Sequence, residues 1–150
     1  MNLRNYLQLF FGILTFIPGV YYLRAKKLGS GGSYSAKYCY SVWMRHIISM
    51  GETKNNFNQK IVAEIGPGDS LGVGLMSLIL GAKKYYAFDT VEFANIEQNL
   101  KIFNELLSLI KNKTNVPDNT EFPRMQPKLN NYNFPKNLYT DNYLKICLDK

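Results

Sequence analysis

VAEIGPGDSLGVG at residues 62–74, followed by YYAFD at 85–89, decides how the rest of the chain is read. An apolar run beginning at Lys60 and ending at Ile65 predicts a strand. It empties into a turn holding Gly66 and Gly68, and a helix is predicted from Ser70 to Leu80, stopped by Gly81. A second strand follows at 84–88. Glycines in such a turn let the backbone approach a ligand, and the amides that open the helix offer partial positive charge. Asp89 lies 21 residues beyond Gly68, at the tip of the second strand, where a carboxylate accepts the hydroxyls of an adenosine ribose. Dinucleotides and S-adenosylmethionine both use this arrangement, and the spacing Gly66-x-Gly68-x-x-x-Gly72 suits either. Glu64 favours the second, because an acid two positions before the first glycine suits a ligand with a cationic amino group. Asp69 argues the same way. A carboxylate a few ångströms from a pyrophosphate is repelled by roughly a kcal/mol or more.

Working outward, the segment 92–111 places Phe93, Ile96, Leu100, Phe103, Leu107 and Ile110 on one stripe and predicts an amphipathic helix. Strand, helix, strand, helix is the order of an α/β protein with a parallel sheet and covering helices. Upstream, GSGGSYS at 29–35 reads as a loop with capping serines. It precedes a helix over 36–50, in which Tyr40, Trp43, Ile47 and Met50 share a face. Downstream, Pro117, Pro123, Pro127 and Pro135 break any regular element, so 114–136 is expected to be a long loop or insertion. A last helix is expected within 139–150, capped by Thr140 or Asp141, with Tyr143, Leu144 and Cys147 turned inward.

The acid, then Gly-x-Gly, with a second acid ending the next strand, resembles motif I of class I S-adenosylmethionine-dependent methyltransferases. GSGGSYSAKYCYSVWMRHI, EIGPGDSLGVGL and TEFPRMQPKL together look like a bacterial group of these enzymes with an N-terminal extension, a resemblance covering about residues 29–150. Ser70 stands where the family pattern has a third glycine, and its hydroxyl is suited to capping the helix. The resemblance implies S-adenosyl-L-methionine as cofactor. Glu64 would engage its methionine end, Gly66 and Gly68 would admit its sulfonium and sugar, Ser70 would border the turn, Asp89 would hold the ribose, and Thr90 and Val91 would flank the adenine. Methyl transfer depends mainly on positioning, with a base needed for some acceptors. His46, the single histidine, together with Arg45, Tyr38 and Tyr40, are the candidates for such roles, although aromatic residues at helical spacing usually belong to a core.

The implied fold is a Rossmann-like doubly wound parallel sheet with an N-terminal helical extension. Seven strands are expected of the family and two are recognisable here, so the reading is of the first two strands and their helices, an incomplete or truncated domain lacking a C-terminal half. Three parts are expected: a hydrophobic arm over 1–28, a glycine-rich loop and helix over 29–59, and the methyltransferase part over 60–150. The acceptor class is a small molecule or glycan. Two other readings compete, a noncatalytic remnant or membrane-associated interaction module, and an NAD-dependent oxidoreductase.

Composition bounds these readings. In 150 residues there is room for one domain, and 46% apolar content suffices for a core. The formal charge of +7 attracts anions in general, but no basic helix or arginine-rich arm is present, so nucleic acid is not expected as a partner. Two cysteines and one histidine suggest neither a disulfide framework nor a metal site, and reduced thiols suit the cytoplasm. Residues 6–23, YLQLFFGILTFIPGVYYL, are uncharged and of borderline length for a bilayer, interrupted by Gln8, Thr15 and Pro18. Three fates are open to this stretch: an arm packed on the domain, which is the first choice, a membrane anchor, or a segment lying on a membrane surface.

Overall fold

At Ser35 the extended backbone turns into a helix because the serine hydroxyl accepts the Tyr38 amide, which the first helical turn leaves without an internal partner. The computed structural model describes residues 3–14, 16–17, 19–20, 33–50, 58–90 and 92–149. Within them are five helices and two strands. In chain order these are α1 (Leu3–Leu14), α2 (Ala36–Ser49), β1 (Ile61–Ile65), α3 (Gly72–Ile79), β2 (Lys84–Phe88), α4 (Ile96–Lys111) and α5 (Asp141–Leu148). The strands pair in parallel, Ile61 opposite Lys84 through Ile65 opposite Phe88. The fold is therefore mixed α/β with a two-stranded parallel sheet, joined through α3 as the strand–helix–strand alternation predicts.

The pleat sorts the strands onto two faces. Val62, Glu64 and Tyr85 turn toward α3, which packs on both strands. The opposite face carries Ile61, Ile65, Tyr86 and Phe88 and is bare, with Ile65 90% exposed. On that face the rings of Tyr86 and Phe88 stack at 6.4 Å, and the Lys84 ammonium lies 4.7 Å from the Tyr86 ring centre.

The core forms among α2, α3 and α4, from Cys39, Tyr40, Met44, Met76, Leu80, Ile102, Leu106 and Ile110. On α4 this differs from the predicted stripe. Ile110 is buried and Phe103 and Leu107 pack against the core as the stripe predicts, but Ile102 and Leu106, outside it, are buried too, whereas Ile96 is 78% exposed and Leu100 is exposed as well. The apolar arc of α4 spans about half its circumference at 100° per residue, and α2 and α3 cover only one half of that arc. The helix also begins later than residue 92, because Asn95 accepts the Gln98 amide at 2.8 Å and fixes the N-cap there.

The proline-rich segment after α4 has no helix or strand until α5, yet it is closely packed on α2. Arg45, fully buried, organises it. Its guanidinium donates to Pro117 O at 2.9 Å, Met125 O at 3.0 Å, Asn119 Oδ1 at 3.2 Å, Pro127 O at 3.4 Å and Ser41 Oγ at 3.1 Å, and lies 5.0 Å from the Tyr132 ring centre. Neighbouring turns of α2 add further ties. Tyr40 donates its hydroxyl to Thr114 O, Trp43 donates to Tyr139 Oη at 3.2 Å, and Lys37 pairs with Glu121 at 3.1 Å. The Gln126–Pro127 peptide is cis. Helix α5 is capped by Thr140 as expected, with Leu144 buried, and Tyr143 donates to Leu80 O at 2.7 Å, fastening it to the end of α3.

The N-terminal arm departs from its first-choice reading as a packed segment. Residues 5–13 of α1 are exposed throughout. No helix among the described residues is long and apolar enough to cross a membrane.

Removing the guanidinium strands several buried carbonyls at once. Arg45→Met is expected to lower unfolding free energy by at least about 3 kcal/mol, read from urea denaturation, and to open residues 117–127 to proteolysis. Arg45→Lys should recover little, because a point-like ammonium cannot reach acceptors arranged around a planar fork. A urea midpoint unchanged in Arg45→Met would show that the segment is held by its other ties.

Candidate functional site

The turn after β1 takes its shape from two left-handed glycines, Gly66 at φ 70° and Gly68 at φ 76°, a conformation that strains other residues. A side chain at Gly66 would meet open space, so conformation alone selects glycine there. The Gly66 amide donates to Phe88 O at 2.8 Å, extending the strand pairing by one rung into the turn. The Gly68 amide then donates to Asp89 Oδ2 at 3.3 Å, while Asp89 Oδ1 accepts the Thr90 amide at 2.7 Å. Turn and second-strand tip, 21 residues apart, thus meet at one carboxylate. These two amides orient the carboxylate.

Beside this junction opens a cleft of about 680 Å³, lined by Pro67, Gly68, Leu71, Ala87 and Asp89 on the sheet side and by Glu92, Phe93, Ala94, Asn95, Ile96 and Asn99 on the α4 side. Its size falls within the range of small-molecule sites. Asn99 accepts the Leu71 amide at 2.9 Å, tying α4 to the start of α3 across the cleft. The α4 side was not foreseen as a site. Its readable signal was Asn95 followed three positions later by Gln98, an N-cap pattern that moves the helix start to 96 and leaves 92–95 as wall.

Other predicted residues fall elsewhere. Ser70 is buried beneath the turn and does not line the cleft: its amide donates to Ser33 Oγ at 3.1 Å, its hydroxyl donates to Ser33 O, and its oxygen accepts the Gly72 amide at 3.1 Å. The N-cap of α3 is Leu71, which makes no side-chain cap, so Ser70 lies one residue before the capping position; its bond to the Gly72 amide closes the turn, and the clamp to Ser33 is an addition. Cys39 joins this cluster, donating to Ser33 O at 3.4 Å, and burial pushes its thiol up to about 11. Gly72 and Gly74 serve close packing, since a Cβ at 72 would collide with Cys39 and one at 74 with the Tyr85 ring.

Glu64 does not line this cleft. It lines a second cavity of about 320 Å³ with Trp43, His46, Met50, Gly74 and Tyr85, and its Oε2 accepts the Tyr85 hydroxyl at 2.6 Å. Burial raises the Glu64 carboxyl above its ordinary range, partly offset by that hydrogen bond, and burial likewise raises the Tyr85 phenol. His46 is exposed at the rim of the same cavity. Its Nδ1 lies 2.7 Å from Val42 O, and because a carbonyl only accepts, Nδ1 is assigned the proton. Arg45 and Tyr40 are buried against the proline-rich segment, Tyr38 packs edge-on to Phe122 at 5.8 Å, and none of the three lines the cleft. Thr90 adjoins Asp89, and Val91 lies outside the described residues. Among the described residues, no three His, Cys, Asp or Glu side chains are grouped to hold a metal ion.

Comparison of the chain with models of protein families, with curated proteins and with solved structures finds no match.

The Glu64 environment makes a pH prediction. A carboxyl raised in the folded state contributes stability that is complete below the ordinary glutamate value of 4.5 and is lost as pH rises through its folded value. Glu64→Gln, which keeps an acceptor for Tyr85, is therefore expected to have a higher Tm than wild type at neutral pH, the difference vanishing in acid below about 4.5. Thermal melts across this range check it; a difference constant with pH would locate the effect in packing.

Proposed function

We propose that this chain provides the cofactor-binding part of a class I S-adenosylmethionine-dependent methyltransferase domain, acting on a small-molecule or glycan acceptor. The observation that carries the reading is the Gly68 amide bonded to Asp89 at the mouth of the 680 Å³ cleft. It sets a carboxylate for ribose hydroxyls beside a turn built on two left-handed glycines. The β1–α3–β2 unit is the opening of a Rossmann-like doubly wound sheet in this reading. The bare face bearing Ile61, Ile65, Tyr86 and Phe88 supports it, because parallel sheets are ordinarily covered on both faces and a second helical layer would lie there.

The ribose end of the ligand fits the residues present. Asp89 would accept its hydroxyls, Gly66 and Gly68 would let it approach, and Phe93 and Ala94 would offer apolar contact to the base. The amino-acid end is not met by Glu64 as it stands, since that carboxylate is held by Tyr85 in the other cavity. Backbone amides of the turn, or a Glu64 released from Tyr85, would have to serve. S-adenosylmethionine, when bound, supplies a methyl group already activated for transfer; the chain's own contribution is to hold the ligand in one orientation. Asp69 disfavours the NAD-dependent alternative, because it follows the turn where a pyrophosphate would bring two further negative charges.

Calorimetry with S-adenosylhomocysteine is expected to show binding by the wild type, weakened about tenfold to a hundredfold in Asp89→Ala, the range for losing hydrogen bonds to a charged group. NAD should give no heat. Stronger binding of NAD, or equal affinity in the variant, would overturn the reading.

A further inference from the structure

Helix α1 has its backbone satisfied internally and its apolar side chains uncovered. Asn5, Gln8 and Gly12 fall along one stripe, and at 100° per residue Leu9, Phe10 and Ile13 lie on the broad remainder of the surface. Leu9 is 58% and Ile13 59% exposed, and Phe16, just beyond the helix, is more exposed still. At 1.5 Å per residue its 12 residues extend about 18 Å, short of the roughly 30 Å hydrocarbon core of a bilayer. A helix of this length with a wide aromatic and aliphatic arc is suited to lying in a membrane interface.

Charge identifies the kind of surface. Residues 1–51 contain six Lys or Arg and no Asp or Glu, while the remaining 99 contain twelve against eleven. Of the six, Arg45 is buried and Lys37 pairs with Glu121, which leaves Arg4, Arg24, Lys26 and Lys27, all in or close in sequence to α1. Arg24, Lys26 and Lys27 follow the apolar stretch directly. Basic residues flanking an interfacial helix add attraction to anionic headgroups, an effect that salt screens.

We propose that α1 docks this chain on anionic phospholipid bilayers, its apolar arc entering the acyl boundary while the flanking basic residues meet the headgroups. The proposal stands on α1 and the charge distribution and is independent of the cofactor reading. The test is sedimentation of the full chain with vesicles of phosphatidylcholine alone and of phosphatidylcholine mixed with phosphatidylglycerol. Binding to the anionic vesicles is expected to be at least about fivefold tighter, the effect of even one basic residue meeting such a surface, and to weaken in high salt. Leu9→Asp with Ile13→Asp should abolish it. Both positions are exposed, so circular dichroism should show the fold retained. Lys26→Gln with Lys27→Gln should reduce the preference for anionic vesicles. Failure to sediment with either vesicle, equal binding to both, or binding untouched by the α1 substitutions would overturn the proposal. So would analytical ultracentrifugation showing that α1 instead joins two copies of the chain and binds no vesicle.

Discussion

The structure depends on a buried cation with no acid bonded to it. Burying the charge of Arg45 is costly unless its donors are satisfied, and here the satisfaction comes from carbonyl dipoles of three prolyl and methionyl residues, two polar side chains and the face of Tyr132. The cost is met only if a segment of chain containing four prolines wraps α2 in one arrangement. That requirement travels inward. With its outer face covered, α2 presents Cys39 to Gly72, and the Ser33 loop at its N-terminus grips Ser70. The grip sets the turn beneath which α3 begins, and the turn in turn presents Gly68 to Asp89. A side chain far from the cleft in sequence thereby shapes its floor without touching it.

The two carboxylates at the strand ends illustrate how environment separates like groups. Glu64 lies within β1 and Asp89 just past the end of β2, and the hydroxyl of Tyr85, whose ring is seated on Gly74, holds Glu64 in the cavity under α2. There it is costly to ionise. Asp89, at the exposed strand tip, instead collects backbone amides. Asp89 lines the cleft beside the turn, whereas Glu64 lies in a separate cavity. This division explains why the sequence pattern, in which both acids count equally, overstates what the cleft receives from Glu64.

What could be read in advance follows from range. The β1–turn–α3–β2 unit, the position of Asp89 and the Thr140 cap are local patterns, in which spacing and residue type determine geometry. The buried face of α4 was not local. Ile96 and Leu100 are as apolar as Ile102 and Leu106, and only the placement of α2 and α3 decides which pair is covered. The prolines announced an irregular segment but not its packing, because its partner is an arginine more than seventy residues earlier. Arg45 and Tyr40 read as chemistry for the same reason: a polar side chain in a helix gives no sign of a distant carbonyl. Ser70 was read as a helix cap, whereas the cap falls on Leu71 and the serine's clamp is to Ser33, 37 residues away.

Two apolar surfaces remain uncovered, and they differ in what can cover them. The sheet face of Ile61, Ile65, Tyr86 and Phe88 belongs to a two-stranded sheet whose outer strand edges, among the described residues, lack ladder partners. Hydrocarbon cannot satisfy such edges, so that face is unsuited to a lipid layer. Helix α1 has no such edges. Its backbone bonds are internal, its exposed side chains are mostly apolar, and it lies in the part of the chain free of acidic residues. Exposed hydrophobic area therefore does not by itself name a partner: where the backbone hydrogen bonds end decides whether hydrocarbon suits a surface, and it suits α1 better than the sheet face.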